Sequence, residues 1–358
     1  MKNIYFTPGP AELYFTVEGH IKDALRAQIP SISHRSKTFQ GIYQEAVENL
    51  RKVLDVPQEY HIFFTGSATE IWERIIQNNV EHKSHHYVNG AFSKRFHATA
   101  LELGREAVAE EAAEGSCITP DAKQIAEDNE LIAFTLNETS TGASQPLEDI
   151  YAIHQAHPEQ LIAVDAVSIL PHSKIEYSQV DSVFFSVQKA FGLPAGLGVW
   201  VVSPRSIEKA NQLQARGLSI GSYHTLPSLL EKGIKNQTPE TPNVLNIYLL
   251  AKVCGDMLEK GMDRIRQETE YKAALAYHCL EEHQQMKPFV ENKAYRSKTV
   301  IVAETKLDSG EVIDQLKKQK LIVGSGYGSY KTKHIRIANF PTHSKEQFEL
   351  LVDKINAL

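Results

Sequence analysis

Six short apolar runs, separated by segments with helical periodicity, constrain the fold of this chain more than any other feature. The runs are four to six residues long and rich in β-branched and aromatic residues, as expected for strands buried on both faces of a sheet. They are His61–Thr65, His86–Asn89, Leu131–Leu136, Leu161–Asp165, Ser182–Ser186 and Gly198–Val202. Helical patterns intervene at Thr38–Leu54, Thr69–Asn78, Ser93–Leu103, Ala122–Glu127 and Leu147–His157. This alternation predicts an α/β domain built on a mostly parallel sheet.

The pattern changes after about residue 205. A helix is predicted over Pro204–Gly217, then a loop rich in Pro and Gly over Gly221–Pro242, then a long helix over Val244–Lys260 that Gly261 ends. The remaining segments predict a compact α+β domain: helices at Asp263–Glu282, Ser309–Gln319 and Ser344–Ala357, and strands at Thr299–Ala303, Ile322–Val323 and His334–Ala338. We therefore expect a large domain over residues 15–255 and a small domain over residues 256–358 that includes the N-terminal segment 1–14.

The composition argues against several classes of protein. The 358 residues carry a formal net charge of −6 and a pI of about 6.2, whereas nucleic-acid-binding domains show a basic patch or a pI above about 9. Three cysteines without a CxxC pair indicate neither a disulfide framework nor a metal site. Residues 1–10 lack the apolar core of a signal peptide, and no apolar stretch approaches the roughly 20 residues of a membrane-spanning helix. We expect a soluble, cytoplasmic protein that binds neither nucleic acid nor membranes.

A lysine follows the fifth apolar run. In Ser182–Gly198 the predicted strand ends in Ser-Val-Gln-Lys, and a loop with three glycines and a proline follows. Ligands of open α/β sheets bind outside the carboxyl ends of the strands. Three roles are therefore open for Lys189: a structural ion pair, a phosphate ligand, or a Schiff-base lysine with a lowered pKa. A P-loop is excluded, because Lys189 precedes the glycines and no Ser or Thr follows it.

Polar and aromatic residues also follow other predicted strands. Asp165 suits the partner of a protonated ring nitrogen in a cofactor, or it stabilises a loop. The small residues of Thr65–Thr69 form either an anion site at a helix N-terminus or a packing and capping turn. Asn137–Gly142 is rich in hydroxyl and amide groups, and Phe92 is either a stacking surface for a planar ring or a core residue. Because all these groups fall at successive strand ends, they converge on one site.

Together these segments resemble the class V pyridoxal-phosphate aminotransferases of fold type I, and among them the phosphoserine aminotransferases. The resemblance covers most of the chain, from Phe6-Thr7-Pro8-Gly9-Pro10 to Arg336. The other matching segments are Ser33-His34-Arg35-Ser36-Lys37 with Phe39, Gly66–Thr69, Asn137-Glu138-Thr139, Val164-Asp165 and Ser186-Val187-Gln188-Lys189. In combination these segments are specific for this family, although none of them is specific for it alone.

The resemblance implies a seven-stranded, mostly parallel sheet in the large domain and a role for each site residue. Lys189 would bind pyridoxal 5′-phosphate covalently and then move the proton between the substrate and the cofactor. Asp165 would pair with the pyridine nitrogen, and Phe92 would take the place where the family stacks a tryptophan. The remaining cofactor contacts would be Ser67, Ala68, Thr69 and Gln188 around the phosphate, Thr139 near the ring hydroxyl, and Thr238 from the partner subunit of a homodimer. Gln237 stands where the family usually has asparagine.

Substrate binding is expected from arginines, whose planar forks match carboxylates and phosphates. The resemblance implies that Arg336 binds the α-carboxylate, and that His34 and Arg35 lie near the side-chain phosphate or carboxylate. Phosphoserine aminotransferases also carry a His-Arg pair shortly before the carboxylate arginine. Residues 326–333 lack that pair here and read Gly-Tyr-Gly-Ser-Tyr-Lys-Thr-Lys. This pattern resembles class V enzymes that act on small amino acids.

Transamination of O-phospho-L-serine with 2-oxoglutarate is the leading functional hypothesis. It gives 3-phosphooxypyruvate and L-glutamate in serine biosynthesis, by a ping-pong route. The main alternative is a class V aminotransferase that acts on serine or alanine with glyoxylate or pyruvate. A lyase such as a cysteine desulfurase needs a mobile cysteine near the substrate, and residues 320–340 contain none. A non-enzymatic binding protein is disfavoured, since it predicts loss of the lysine.

Overall fold

A computed structural model describes residues 2–306 and 308–358, so Met1 and Leu307 lie outside the described chain. The first elements are β1 (Ile4–Phe6), α1 (Val17–Arg26), α2 (Lys37–Leu54), β2 (His61–Thr65), α3 (Ala68–Asn79), β3 (Lys83–Val88), α4 (Ala91–Glu102), β4 (Glu106–Glu111), β5 (Leu131–Thr135), β6 (Asn137–Glu138), β7 (Ala143–Ser144), α5 (Leu147–Ala156), β8 (Leu161–Asp165), β9 (Ser182–Ser186) and β10 (Gly198–Val202). They are followed by α6 (Pro204–Ala215), α7 (Leu226–Gly233), α8 (Val244–Lys260), α9 (Met262–Glu282), β11 (Met286–Pro288), β12 (Val300–Thr305), α10 (Ser309–Lys318), β13 (Leu321–Ser325), β14 (His334–Ala338) and α11 (Lys345–Asn356).

A seven-stranded sheet in the order β2-β10-β9-β8-β5-β3-β4 forms the centre of the large domain. Its strands are parallel except β10, which pairs antiparallel with both β2 and β9. Side chains of one strand alternate between two apolar layers: in β9, Phe184 packs in one layer, whereas Val183 and Phe185 pack in the other. The predicted mostly parallel α/β sheet, buried on both faces, is therefore confirmed.

A second sheet, in the order β1-β13-β14-β12-β11, forms the small domain. Its apolar face packs on α9, α10 and α11 around buried residues such as Phe6, Leu316 and Phe348. The N-terminal strand β1 pairs parallel with β13, with Ile4 opposite Leu321. Because the first strand belongs to this second sheet, we propose the division into residues 15–255 and residues 256–358 with segment 1–14.

Two consecutive long helices connect the sheets. The 17-residue α8 buries its apolar side against the large domain, and the 21-residue α9 packs in the small domain. Gly261 separates them with a φ of 89°, a left-handed conformation that favours glycine. Within the described ranges, we find no helix with the length and apolar character needed to cross a membrane.

Several predictions of secondary structure were wrong or incomplete, and the short strands β1, β6, β7 and β11 were not predicted. Glu106–Glu111 is an edge strand that the sequence pattern missed, because its Glu and Ala residues favour helices and it pairs on one side only. Ala122–Glu127 was expected to be helical, but only a three-residue 3₁₀ turn forms there, at Ala122–Gln124. Helix α1 was not predicted, and α7 lies inside the segment that we expected to be a loop.

Candidate active site

Lys189 is a buried amine three residues beyond the end of β9. Its side chain is 8% exposed, and Nζ donates a hydrogen bond to the carbonyl oxygen of Pro8. Nζ also lies 5.8 Å from the centre of the Phe92 ring. Burial, together with the nearby charge of Arg336, lowers the pKa of Lys189 to about 8, against the opposing effect of Asp165. Lys189 therefore gains and loses its proton at a pH much closer to 7 than an ordinary lysine does.

Gly9 makes room for this lysine. It has a φ of +126°, and a Cβ atom on it would lie 2.5 Å from Cε and 2.7 Å from Nζ of Lys189. These separations are below van der Waals contact, so any larger residue would displace the amine. The N-terminal segment thus helps to build the site although it pairs with the small sheet.

Asp165 ends β8, the strand next to β9 in the sheet. Its carboxyl group is buried, and it accepts hydrogen bonds from the Trp72 indole N–H at 3.0 Å and from the Val167 backbone N–H at 3.0 Å. Burial raises the pKa of Asp165 to about 7, against the opposing effect of these two hydrogen bonds. A cationic partner would restore the ionised form, because a nearby positive charge stabilises a carboxylate.

The turn between β2 and α3 presents a helix N-terminus to the same region. Ser67 caps α3, since its hydroxyl accepts from the Glu70 N–H at 3.1 Å. The Ala68 N–H donates to Ser186 Oγ at 2.9 Å, which joins the turn to the end of β9. Thr69 is exposed at the first turn of the helix. This arrangement suits an anion, because backbone N–H groups and the helix dipole favour negative charge there.

Phe92 lies at the start of α4, where Glu138 fixes the backbone. The Glu138 carboxylate is fully buried and accepts from the backbone N–H groups of Phe92 at 3.1 Å and Ser93 at 3.0 Å. The hydroxyl of Ser140 donates to it at 2.7 Å. The Phe92 ring is half-buried and lies 5.2 Å from the ring of Tyr327 in the small domain. A planar ligand can therefore contact an aromatic side chain whose position is fixed by a buried carboxylate.

A single cavity collects most of the predicted cofactor residues. It is lined by Ala68, Thr69, Trp72, Phe92, Thr135, Asn137, Thr139, Asp165, Val167, Ser186, Gln188 and Lys189. Three polar atoms of this lining, Thr135 Oγ1, Asn137 Oδ1 and Gln188 Oε1, are buried without a hydrogen-bond partner in the described part of the chain. Buried polar atoms are normally satisfied, so these three atoms indicate that the cavity receives a polar ligand.

Arg336 brings a guanidinium group from the small domain to this region. Its Nε donates to the Ser325 carbonyl at 2.7 Å, and Nη1 donates to the Thr139 carbonyl at 3.3 Å. The guanidinium carbon lies 5.5 Å from the centre of the Tyr327 ring. Within residues 2–306 and 308–358, Nη2 makes no hydrogen bond, so one donor arm remains available for a ligand.

His34, Arg35 and Thr238 form a separate group that does not line this cavity. The Arg35 guanidinium donates to the Thr238 carbonyl at 2.7 Å, to Gln237 Oε1 at 2.9 Å and to the Pro239 carbonyl at 3.2 Å. His34 is half-buried beside it, and Arg35 is exposed. Within one chain these three residues therefore lie close to each other but outside the cavity that contains Lys189.

Several residues of the site had no predicted role. Trp72, Ser186 and Glu138 bind or position predicted residues, and Gly9 with Pro8 surrounds the lysine amine. Pro8, Gly9 and Glu138 lie in motifs that carry the family resemblance, which is the signal that could have singled them out. Trp72 gives no such signal, because a tryptophan in an amphipathic helix is ordinarily a core residue. No group of three or more His, Cys, Asp or Glu side chains in the described ranges is arranged to hold a metal ion.

Comparisons with known proteins identify the family of this chain. The family model for class-V aminotransferases matches residues 22–338, so the chain belongs to this family and is a transaminase by descent. It is similar to the crystal structure of a phosphoserine aminotransferase SerC from Cytophaga hutchinsonii, with 53% identity, coverage of 99% of this chain and 98% of that chain, and a TM-score of 0.96. It is 27% identical to the phosphoserine aminotransferase of Corynebacterium glutamicum over 338 residues, 92% of this chain and 88% of that protein. An alanine–glyoxylate aminotransferase from Nostoc shares the fold, with 23% identity, coverage of 100% and 95%, and a TM-score of 0.86.

Proposed function

We propose that this protein is a homodimeric phosphoserine aminotransferase that uses pyridoxal 5′-phosphate. It would convert O-phospho-L-serine and 2-oxoglutarate to 3-phosphooxypyruvate and L-glutamate by a ping-pong route, as a step of serine biosynthesis in the cytoplasm. The observation that carries the proposal is the position of Lys189 and Asp165 at adjacent strand ends in one buried cavity. The similarity to the Cytophaga hutchinsonii enzyme supports the choice of substrate.

The cavity residues fit this cofactor. Its phosphate suits the N-terminus of α3 at Ser67–Thr69 together with the side-chain amide N–H group of Gln188, which lines the same cavity. Its ring suits the face of Phe92, and its ring hydroxyl suits the polar groups near Thr139. The ionised carboxylate of Asp165 suits a protonated ring nitrogen. The cavity therefore offers groups that suit an anion at one end, a flat ring in the middle and a cation at the other end.

When bound, pyridoxal phosphate supplies an electron-poor ring that withdraws the electron pair left on an amino acid after its α-proton departs. Lys189 performs the proton transfer: Nζ accepts the α-proton of the substrate and returns a proton on the product side. A pKa of about 8 suits both tasks, because a proton carrier works best when its pKa lies near the operating pH. The Pro8 carbonyl accepts a hydrogen bond from Nζ and orients the amine.

Substrate binding follows from the charges around the cavity. The free Nη2 arm of Arg336 would bind the α-carboxylate, while Ser325 and Thr139 hold the rest of the guanidinium in place. Half-buried Phe92 contacts Tyr327, which is 43% exposed, and the two rings border the region between the two domains. His34 and Arg35 would add positive charge for the side-chain phosphate of the substrate.

A homodimer is proposed because Arg35 and Thr238 do not reach the cavity of their own chain. In such a dimer, His34, Arg35 and Thr238 of one subunit would complete the cofactor and substrate site of the other.

One observation favours the alternative substrate class. Lys331 and Lys333, the only basic residues of segment 326–333, are both exposed, and Tyr327 takes the position beside Phe92. An enzyme for serine or alanine with glyoxylate or pyruvate needs less positive charge at this place. A cysteine desulfurase is disfavoured, since burial raises the pKa of each thiol and none of Cys117, Cys254 and Cys279 lines the cavity.

A half-reaction assay tests the proposal. The cofactor-loaded protein is mixed separately with phosphoserine, glutamate and alanine, and the cofactor absorbance is recorded. We expect phosphoserine and glutamate to convert the cofactor to its amino form, and alanine to react far more slowly. A spectrum unchanged by phosphoserine but altered by alanine would reject the proposed substrate in favour of the alternative.

A further inference from the structure

Three charged side chains form a row behind the turn at Gly66. His224 Nδ1 lies 2.6 Å from Glu70 Oε1, and His224 Nε2 lies 2.6 Å from Glu240 Oε2. The side chain of His224 is 3% exposed, and those of Glu70 and Glu240 are 17% and 29% exposed. His224 lies two residues before α7 and has a φ of 50°, an unusual conformation for a histidine.

Glu70 connects this row to the predicted phosphate turn. Its Oε2 accepts from the Gly66 backbone N–H at 2.8 Å, and its own backbone N–H donates to Ser67 Oγ. One carboxylate thus bonds to the backbone of the turn with one oxygen and contacts the histidine with the other. Arg74, one helical turn later, lies 3.5 Å from Glu70 and adds a positive charge on that side.

Glu240 connects the row to the loop that carries Thr238. The Thr238 hydroxyl donates to the Glu240 carbonyl at 2.8 Å, so the two residues belong to one tight turn. From the opposite side, Arg35 donates to the carbonyls of Thr238 and Pro239. The loop is therefore held between Arg35 and His224.

Two carboxylate oxygens at 2.6 Å from the two ring nitrogens favour the doubly protonated imidazole. The Nδ1–Glu70 contact is a hydrogen bond, and the Nε2–Glu240 contact is a close ion pair outside hydrogen-bond geometry. A neutral imidazole carries one N–H group and could donate to one glutamate only. Burial lowers the pKa of His224, but the contacts and charges of Glu240 and Glu70 outweigh it and raise the pKa to about 9. The other charged or titratable groups beside the row in the described chain are Arg74 beside Glu70, Tyr223, whose ring centre lies 4.4 Å from that of His224, and His34 and Tyr43, which lie near the charge of Glu240. At neutral pH the histidine is therefore a buried cation between two carboxylates.

We propose that His224 is a positioning residue that ties the Gly66–Thr69 turn to the Thr238 loop, an inference that rests on the proposed function. The turn would bind the cofactor phosphate of its own subunit, whereas Thr238 would bind that of the partner. One imidazolium therefore holds a part of each of the two phosphate sites of the dimer. Loss of its second proton releases one of the two parts.

The rate of cofactor release from the holoenzyme tests this inference. The loaded protein is diluted into buffer with a trap for free pyridoxal phosphate, and release is followed by absorbance between pH 7 and pH 10. For His224→Asn we expect release about tenfold faster at pH 7, since a buried charge-assisted contact is lost on both sides. For the wild type we expect release to accelerate as the pH rises through about 9, and this step is absent from the variant.

Two further variants keep the test decisive. Glu240→Gln retains the Glu70 contact and is less disruptive to folding, and we expect about threefold faster release because one of the two links is weakened. His82→Asn is the control, since His82 also lies beside a glutamate, at 3.3 Å, but on the surface. The inference would be overturned if both His224→Asn and Glu240→Gln released the cofactor at the wild-type rate. It would also be overturned if His224→Asn kept the acceleration of release near pH 9. In either case the proposed function would stand. A wild-type protein that takes up no cofactor would instead overturn the proposed function and the inference with it.

Discussion

The indole N–H of Trp72 donates a 3.0 Å hydrogen bond to the carboxylate of Asp165, inside the cavity that also contains Lys189. This contact joins the amphipathic helix α3 to the end of β8 and turns an apparent core residue into part of the site. Burial raises the pKa of Asp165 to about 7, and the Trp72 hydrogen bond acts against that rise. The ionised carboxylate therefore depends on a donor that only the folded structure supplies.

Trp72→Phe should weaken cofactor binding most strongly below neutral pH. Without the indole donor the pKa of Asp165 rises further, so less of the carboxyl is ionised at pH 6.5 and the ring nitrogen loses its partner. We expect an affinity about tenfold lower at pH 6.5, as for a lost hydrogen bond to a charged group, and a smaller loss at pH 8.5. A titration of the apoprotein with pyridoxal phosphate at both pH values measures this. Trp200→Phe is the matched control, since its indole donates to Ser182 Oγ at 3.2 Å, outside the cavity; equal losses at both pH values would contradict the prediction.

Gly9→Ala should displace the Lys189 amine. The added Cβ would lie 2.5 to 2.7 Å from three side-chain atoms of Lys189, and the φ of +126° adds backbone strain. We expect a loss of about 1–3 kcal/mol in the free energy of unfolding from overpacking and strain. The half-reaction rate should fall at least tenfold, because a small displacement of a reacting group is costly.

Gly104→Ala provides the control for this substitution. Gly104 also has a positive φ, of +73°, but a Cβ there would meet nothing within 4 Å. The control variant should therefore lose stability through backbone strain alone and keep its half-reaction rate. Denaturant unfolding and stopped-flow absorbance distinguish the two effects. A Gly9→Ala variant that reacts as fast as Gly104→Ala would show that the close approach is unimportant.

The strand ends of the site could be predicted from sequence, whereas its supporting contacts could not. Lys189 and Asp165 were predicted because each is a charged residue that follows an apolar run, and parallel strands bring their carboxyl ends to one edge. The contact of Gly9 with Lys189 has no local signature, since it joins the first loop of the chain to the end of β9. The edge strand Glu106–Glu111 was missed because its residues favour helices and only the neighbouring strand β3 makes it extended. Local pattern singled out the strand ends, the family resemblance suggested the role of each residue, and tertiary packing determines what holds them in place.

Lys189→Met should stabilise the cofactor-free protein at neutral pH while abolishing transamination. The folded pKa of about 8 lies below the usual 10.5, so at pH 7 the unfolded chain holds its proton more tightly than the folded chain. The buried charge thus lowers stability below pH 8, and this loss disappears as the pH rises towards 10.5. We expect the variant to gain up to about 3 kcal/mol at pH 7, the equivalent of the pKa difference, less the hydrogen bond to Pro8.

Denaturant unfolding of the two apoproteins between pH 7 and pH 10 measures this gain. The difference in the free energy of unfolding should shrink steadily as the pH rises. Lys52→Met removes an exposed lysine and should change neither stability nor activity appreciably. A difference between Lys189→Met and the wild type that stays constant with pH would show that the lysine is not titrating in this window.

Arg35→Ala and Lys189→Met should complement each other if the active site is shared between subunits. Each homodimer is expected to be inactive towards phosphoserine, one because it lacks the substrate arginine and the other because it lacks the amine. In a mixed dimer, the Lys189→Met subunit would supply Arg35 to the intact Lys189 of the other subunit. Random reassociation of equal amounts makes half of the dimers mixed, each with one complete site, so activity should recover to about a quarter of the wild-type value.

Two differently tagged variants, dissociated and reassociated together, provide the measurement, and a mixture of Lys189→Met with Lys189→Ala is the control that should stay inactive. Mixed dimers that form and remain inactive would mean that Arg35 serves its own subunit, by holding the Thr238 loop to which it already donates three hydrogen bonds.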